Sequence, residues 1–328
     1  MPAGGQQTLQ TADGRVDVVG LRQWNLAMLA DSIQHYAPGV SLFQTVECTK
    51  ALSGQLKFPG VYFLKTIVGQ QGDRAESVLL FLVEHEDAGR IKWRKEPGKA
   101  APDAARWKRL QRTVVDSGAA RWSEGDIVNP LQYYPLYRKR GAAAALERAA
   151  FAVSDSAQAM RFWQVLEQQN QPADKALALA TLRSDANRQH RMFAAAVLTN
   201  FDRDDDAWHA LVGALRDPYT GVNHTAILAL SGLMREYPRP VAWRHALPSL
   251  RAVLDGTNLE AFTLLLQLLT RTAIDPALAV PLMKGRSTLV VELAGVNDRR
   301  SRQIAVDFLR AISRQPDTTS WRTWLAGL

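Results

Sequence analysis

Cysteine is nearly missing from this 328-residue chain: Cys48 stands alone. A single thiol closes no intramolecular disulfide and builds no thiolate metal cluster. No window approaches the run of about 18 apolar residues that a membrane-spanning helix needs. The apolar stretch 263–269 is interrupted by Gln267 and followed by Arg271, so it reads as a buried helix. The opening MPAGGQQTLQTADGR carries neither the basic nor the apolar segment of a secretion signal. Two locations follow as expectations: cytoplasmic, or exported with the signal absent from this sequence. The Gly-rich signatures GxxxxGK[ST] and GxGxxG are lacking, as is GxSxG, so phosphate cradles and a nucleophile elbow have no support. The six histidines show no HExxH or His-x3-His spacing, so a zinc site would need distant helices. No cofactor is expected.

What is present is an ordinary globular composition, 47% hydrophobic and 22% charged, in a chain long enough for two domains. The formal charge of +8 is unevenly placed. Arg90, Lys92, Arg94, Lys95, Lys99, Arg106, Lys108, Arg109 and Arg112 crowd one window against only Glu96 and Asp103. Residues 151–328 carry 20 basic and 17 acidic groups, nearly neutral. A local basic patch is therefore present, and a chain-wide nucleic-acid footprint is not.

The first 145 residues mix periods. Residues 1–14 read as a flexible segment, 15–19 as a short strand, and 23–36 as a helix ended by Pro38-Gly39. Ser41 is placed to cap a second helix running to about Leu52. The runs 60–68 and 77–85, rich in β-branched and aromatic residues, flank a turn, and 90–94 follows Asp87-Ala88-Gly89. These predict a three-stranded antiparallel meander on two helices, with the middle strand apolar on both faces and hence central. Residues 98–102 read as a linker and 104–115 as a basic helix. Residues 129–141, with two prolines and three tyrosines, read as a loop near the boundary.

Beyond it strands vanish. Helices are predicted at 174–183, 188–201, 205–216, 222–236, 241–254, 259–272 and 299–314, and their short breaks force antiparallel neighbours. Four share a frame: a small residue, an apolar pair three and four on, and a large apolar residue at +7. Their anchors are Ala194, Ala226, Ala261 and Ala305, spaced by 32, 35 and 44 residues. A small residue at a helix crossing lets two helices approach, and a period in this range marks a two-helix unit that must stack to bury its faces. Partner helices open alike, at Trp208, Trp243 and Trp321.

With these residues, and with RDPYTGVNHTAILALSGL at 216–233, the segment 155–328 resembles the HEAT-repeat (armadillo-type) family, including its short bacterial variety. Asn223 departs from that family's usual Arg. The resemblance implies an α-solenoid that binds partners as a class, and it also extends to DNA-binding glycosylases. The expected architecture is mainly α: a smaller α+β domain at 15–145 and a HEAT-like helical repeat domain at 146–328.

Candidate binding residues fall in two places. Trp93, Arg94, Lys95, Trp107, Lys108 and Arg109 combine phosphate-attracting cations with rings that stack on an unpaired base. The alternative is a solvated strand edge and an amphipathic helix whose Trp107, Leu110 and Val114 face the core. Tyr133, Tyr134, Tyr137, Arg138 and Arg140 suit a recognition surface, or equally the packing of the two domains. Cys48, with His35 or His85, is a remote candidate nucleophile against the plainer reading of a buried apolar residue. Asp202, Asp204, Asp205 and Asp206 lack the Gly and distal Glu of a calcium loop and read as helix caps. His209, His224 and His245 could line one side of the repeat, two of them at matching places, but capping or surface positions are the favoured reading.

The expectation is thus a non-enzymatic adaptor holding a protein or peptide. The first alternative is a nucleic-acid-binding or HEAT-like DNA-repair protein acting through the basic window. A cysteine-dependent hydrolase is a distant third.

Overall fold

The computed structural model describes residues 7–11, 14–68, 75–100, 102–115, 129–153, 155–285, 288–314 and 318–328. It is mainly helical with one four-stranded sheet. No helix among the described residues is long and apolar enough to cross a membrane. Packing divides the chain into two compact units. One gathers residues 1–92, 251–270 and 275–328; the other holds 93–250 and 271–274. This division follows contacts rather than chain order, and so differs from the boundary expected near 141–154.

The first unit is built on β1 (Gln7–Thr11), β2 (Gly14–Val19), β3 (Gly60–Val68) and β4 (Ala75–Val83), in the order β1-β2-β4-β3. β4 is central as its apolar faces demand, and residues 78–83 are all buried. β2 lies parallel to β4, and the other pairings are antiparallel. A parallel pair needs a crossover, supplied here by the helix Leu26–Tyr36 and the short helix Thr45–Thr49, which continues as a π-helix over Lys50–Gln55. Asn25 starts the first helix by accepting the Met28 amide. Leu26, Leu29 and Ile33 then pack with Val16, Val18, Leu80 and Leu82 into one core that also takes in Cys48 and Phe58.

The sheet's other face is covered from the far end of the chain. The Phe81 ring meets Phe262 at 5.7 Å, and the buried Glu292 carboxylate accepts the Gly20 amide at 2.7 Å. Gly20 has φ +100°, and a Cβ there would sit 1.9 Å from the Leu82 carbonyl oxygen, so only glycine makes this turn. Glu84 does similar work inside the N-terminal segment, accepting the amides of Arg22, Gln23 and Trp24 at 2.8, 3.0 and 3.1 Å.

Three expectations for this region are corrected. Residues 90–94 are no strand, because β2 already occupies that edge of β4; His85–Arg90 instead closes as a 3-10 helix in which Asp87 pairs with Arg22 and Arg90. Residues 7–11 of the supposedly flexible start are a strand, held by the β2 ladder and by the Thr8 hydroxyl donating to Asp17 at 2.7 Å. The sheet is therefore mixed and four-stranded, not a three-stranded meander.

In the second unit the basic helix runs over Ala104–Val115 as expected, and the first four predicted helices beyond the boundary are observed at Pro172–Ser184, Arg188–Val197, Asp205–Ala214 and Thr220–Glu236. The next region starts as a 3-10 turn at Trp243–Ala246 before the helix Leu247–Leu254. Within the unit, Pro172–Ser184 packs on Arg188–Val197 and Asp205–Ala214 on Thr220–Glu236. The first members of these pairs also touch each other, as do the second members. Ala194 and Ala226, one on each second member, are fully excluded from solvent. In the other unit Ala261 and Ala305, anchors of Phe262–Arg271 and Arg299–Ser313, are buried as completely.

Caps set the breaks: Asn187 accepts the Gln189 and His190 amides, and Asp204 accepts that of Asp206. A buried ion pair locks one break to the next. Arg191, wholly enclosed, grips Asp217 with two bonds of 2.9 Å.

The tyrosine-rich segment 129–141 is another correction. It is helical rather than a loop, with Tyr134–Arg140 following a turn. Pro135 sits in that helix's first turn, where a missing amide proton costs nothing. The helix lies against Thr220–Glu236 at Gly232, where a Cβ would come within 2.8 Å of the Gln132 carbonyl oxygen.

Candidate binding groove

Alternate elements of the second unit open onto one cavity of about 430 Å³. The helix Pro172–Ser184 contributes Leu179, Leu182 and Arg183. The helix Asp205–Ala214 contributes Asp206, His209, Ala210 and Gly213. His245 and Ser249 come from the following turn and helix, and Arg216 and Arg94 complete the wall. The size falls in the range of small-ligand and side-chain pockets.

The groove's lining mixes arginines and histidines with leucine and alanine. The His209 and His245 rings lie 6.1 Å apart at 53°. His209 also approaches the Trp243 ring at 5.7 Å and the Ala242 carbonyl oxygen through Nε2 at 3.0 Å. Burial pushes His209 below the ordinary histidine range, with His245 adding to that, while Ala242, Asp205 and Asp206 pull the other way. Arg216 is lowered first by burial and then by the charge of Arg94. Arg94 has its own anchor: it bonds the Leu182 carbonyl at 2.8 Å and pairs with Asp217 beside Arg191. Its backbone amide is held by the Arg216 carbonyl at 2.9 Å.

Of the residues the sequence nominates in the basic window, Arg94 alone lines this groove. Trp107 is 1% exposed and donates its indole N–H to Thr181 at 2.9 Å, so its ring is core and offers no stacking face. Arg106 is drawn to Asp174 and to Gln169. Trp93 is 43% exposed, and Lys95, Lys108, Arg109 and Arg112 are exposed as well. The supposed linker is docked, Lys99 bridging to Asp185 through bonds to the Ser184 carbonyl and the Ala186 amide.

The tyrosine group serves the packing of its own unit. Tyr134 is buried and bonds Asn200 at 2.5 Å, and Tyr137 donates to Glu167 at 3.0 Å. Arg138 spans the Thr199 carbonyl and Asp202 and lies over the Tyr237 ring. Arg235 lies over Tyr133, while Arg140 is exposed.

Asp204 caps its helix as expected; it also pairs with Lys175, and Asp205 pairs with Arg239. No group of three or more potential metal ligands occurs among the described residues. In the first unit, Cys48 is enclosed, its thiol donates to the Ser41 carbonyl at 3.1 Å, and burial followed by Glu47 pushes it up to about 11. A nucleophilic thiol needs the opposite shift. His85 bonds the Leu56 carbonyl at 3.1 Å, and His35 stacks edge-on against Tyr36.

Sequence reasoning paired His209 with His245 but missed Arg183 and Arg216. The spacing carried a signal: Arg183 and Arg216 stand 33 residues apart and His209 and His245 36 apart, close to the separations of the anchor alanines. No protein family, no curated protein and no solved structure matches the chain.

Proposed function

We propose that the protein is a non-enzymatic scaffold that holds a segment of another protein on a HEAT-like, armadillo-type stack of helix pairs. The observation that carries this reading is the groove itself. The first helices of two successive pairs, and the turn and helix that follow them, contribute to a single cavity while the second helices do not, which is how a stacked repeat makes a recognition surface. The fully enclosed anchor alanines and the layer-on-layer contacts of 172–184 with 205–214, and of 188–197 with 220–236, support the same view. The partner is a protein or peptide, and no cofactor enters.

A photo-reactive amino acid placed at Ser249, inside the groove, tests it in cells that make the protein. The expected result is a discrete protein adduct, weakened when Leu179→Glu spoils the apolar wall and missing when the probe sits at exposed Arg148. Adducts at Ser249 no stronger than at Arg148 would overturn the scaffold.

A second reading keeps one observation of its own. Lys108, Arg109 and Arg112 stand exposed on one helix, with Trp93 and Lys95 exposed in the same unit, a surface suited to phosphates. Labelled duplex titrated at low salt decides it: phosphate contacts must appear there, and an empty titration removes this alternative.

A further inference from the structure

We propose that the outer edge of β3 is a self-association surface: two copies of this chain pair their β3 strands antiparallel about a two-fold axis at Leu64, joining two four-stranded sheets into one of eight strands. The inference goes beyond the scaffold reading and does not depend on the groove.

The opening lies in the backbone. β3 stands last in the order β1-β2-β4-β3, so its ladder to β4 satisfies one edge only. Alternate residues of an antiparallel strand turn their amide and carbonyl toward the neighbour, and the others turn theirs away. Among the described residues, no hydrogen bond reaches the outward amides and carbonyls of residues 61–66. Proteins blunt such an edge by keeping it short, or with a proline, a bulge or a free lysine. β3 runs nine residues, Gly60–Val68, contains no proline and pairs with β4 in unbroken one-to-one register. Its one charge, Lys65, is held by its own chain: Nζ lies 2.7 Å from the Glu76 carboxylate and donates to the Phe43 carbonyl at 3.3 Å. A lysine neutralised in this way repels an incoming strand weakly.

The side chains along the edge select the occupant. Val61 and Phe63 lean on the core that holds the helix Leu26–Tyr36, and Tyr62 meets the Phe81 ring on the opposite face. Val61, Tyr62, Phe63 and Leu64 all remain partly exposed. The edge is therefore apolar on both faces, and a strand added to it must be apolar on both faces too. β3 is itself such a strand. Its register follows from symmetry. Outward groups fall on alternate residues and a bonded pair needs two of them, so facing positions differ by an even number and the two-fold axis passes through a residue. Leu64 is the midpoint of Gly60–Val68, so an axis there pairs all nine residues and any other axis shortens the ladder. That axis also sets Lys65 opposite Phe63 of the second copy, and Tyr62 opposite Thr66. Neither lysine then faces its counterpart, where like charges would repel.

Sedimentation velocity on the full chain tests this. The wild type is expected to sediment as a concentration-dependent dimer. Leu64→Lys and Leu64→Glu each set a charge opposite its own copy, and each is expected to be monomeric with an unchanged circular dichroism spectrum. Mixing the two variants in equal amounts is expected to restore the dimer. Leu64→Cys is the milder variant: facing Cβ atoms in such a pair lie about 4.5–5.5 Å apart, so mild oxidation should link two copies covalently. Arg148→Cys, at an exposed position, serves as the control, and enclosed Cys48 does not compete. A wild type that stays monomeric at its highest soluble concentration would overturn the proposal. So would a dimer that survives both charged variants, a mixture that fails to restore it, assemblies larger than two, or cross-linking at residue 64 no faster than at 148. A foreign polypeptide co-purifying in equal amount with a monomeric chain would overturn the second copy as occupant.

Discussion

Two side chains show how burial decides chemistry at the level of single residues. Cys48 is a thiol turned into core: enclosed, bonded to a carbonyl and raised to about 11. At pH 8 its thiolate fraction is about two hundredfold below that of an ordinary cysteine near 8.5. Alkylation of the folded protein by iodoacetamide should be slower than that of a free thiol by at least that factor, and should recover in urea. Rapid labelling of the native state would contradict the placement. His209 is pushed down from 6.5. A histidine that resists protonation in the fold contributes stability above its unfolded value. That contribution is lost as the pH falls, because the unfolded chain then takes up the proton that the fold refuses. Urea unfolding at pH 7.5 and 5.5 should show the wild type losing more stability than His209→Gln, which keeps a donor for the Ala242 carbonyl.

Among elements, glycines give two predictions of opposite sign. Gly213 lies in the last turn of Asp205–Ala214 with open space around its missing Cβ. Gly213→Ala should raise stability by about 0.5 kcal/mol, since alanine loses less backbone entropy in a helix. A Cβ on Gly232 would come 2.8 Å from the Gln132 carbonyl oxygen and 3.0 Å from Pro135, so Gly232→Ala should cost about 1–3 kcal/mol by forcing the Tyr134–Arg140 helix away. Chemical denaturation of the two variants checks both signs. The same elements show what was readable from residues alone. Helix existence was legible wherever the apolar stripe had its 3.6-residue period, and the basic helix matched to the residue. Residues 129–141 were not, because proline and tyrosine signal a loop locally, while burial of Tyr134 and the first-turn place of Pro135 come from tertiary packing. Likewise the run 90–94 has strand composition, yet the parallel strand β2 had already filled that position beside β4. Which strands pair across 60 residues is not written in either run. The groove was half legible, through the two histidines; Arg183 and Arg216 lie in no motif that marks them.

For the whole molecule, the first unit is assembled from segments far apart in sequence. The sheet relies on Phe262 against Phe81 and on Glu292 at Gly20, a buried carboxylate whose loss leaves an amide without its acceptor. A fragment of residues 1–145, cut at the boundary expected from sequence, should therefore lack a cooperative thermal transition and show a poorly dispersed amide NMR spectrum. Adding a 251–328 fragment in trans should improve dispersion. An independently folded 1–145 piece would show that those two contacts contribute little.

That interleaving also orders events on the ribosome. Residues 93–250, nearly all of the helical unit, leave the exit tunnel while the opening sheet still waits for Phe262 and Glu292. The early strands must then stay unpaired on one face, and soluble, through the synthesis of some 170 further residues. Such a nascent chain is a natural client for a holding chaperone.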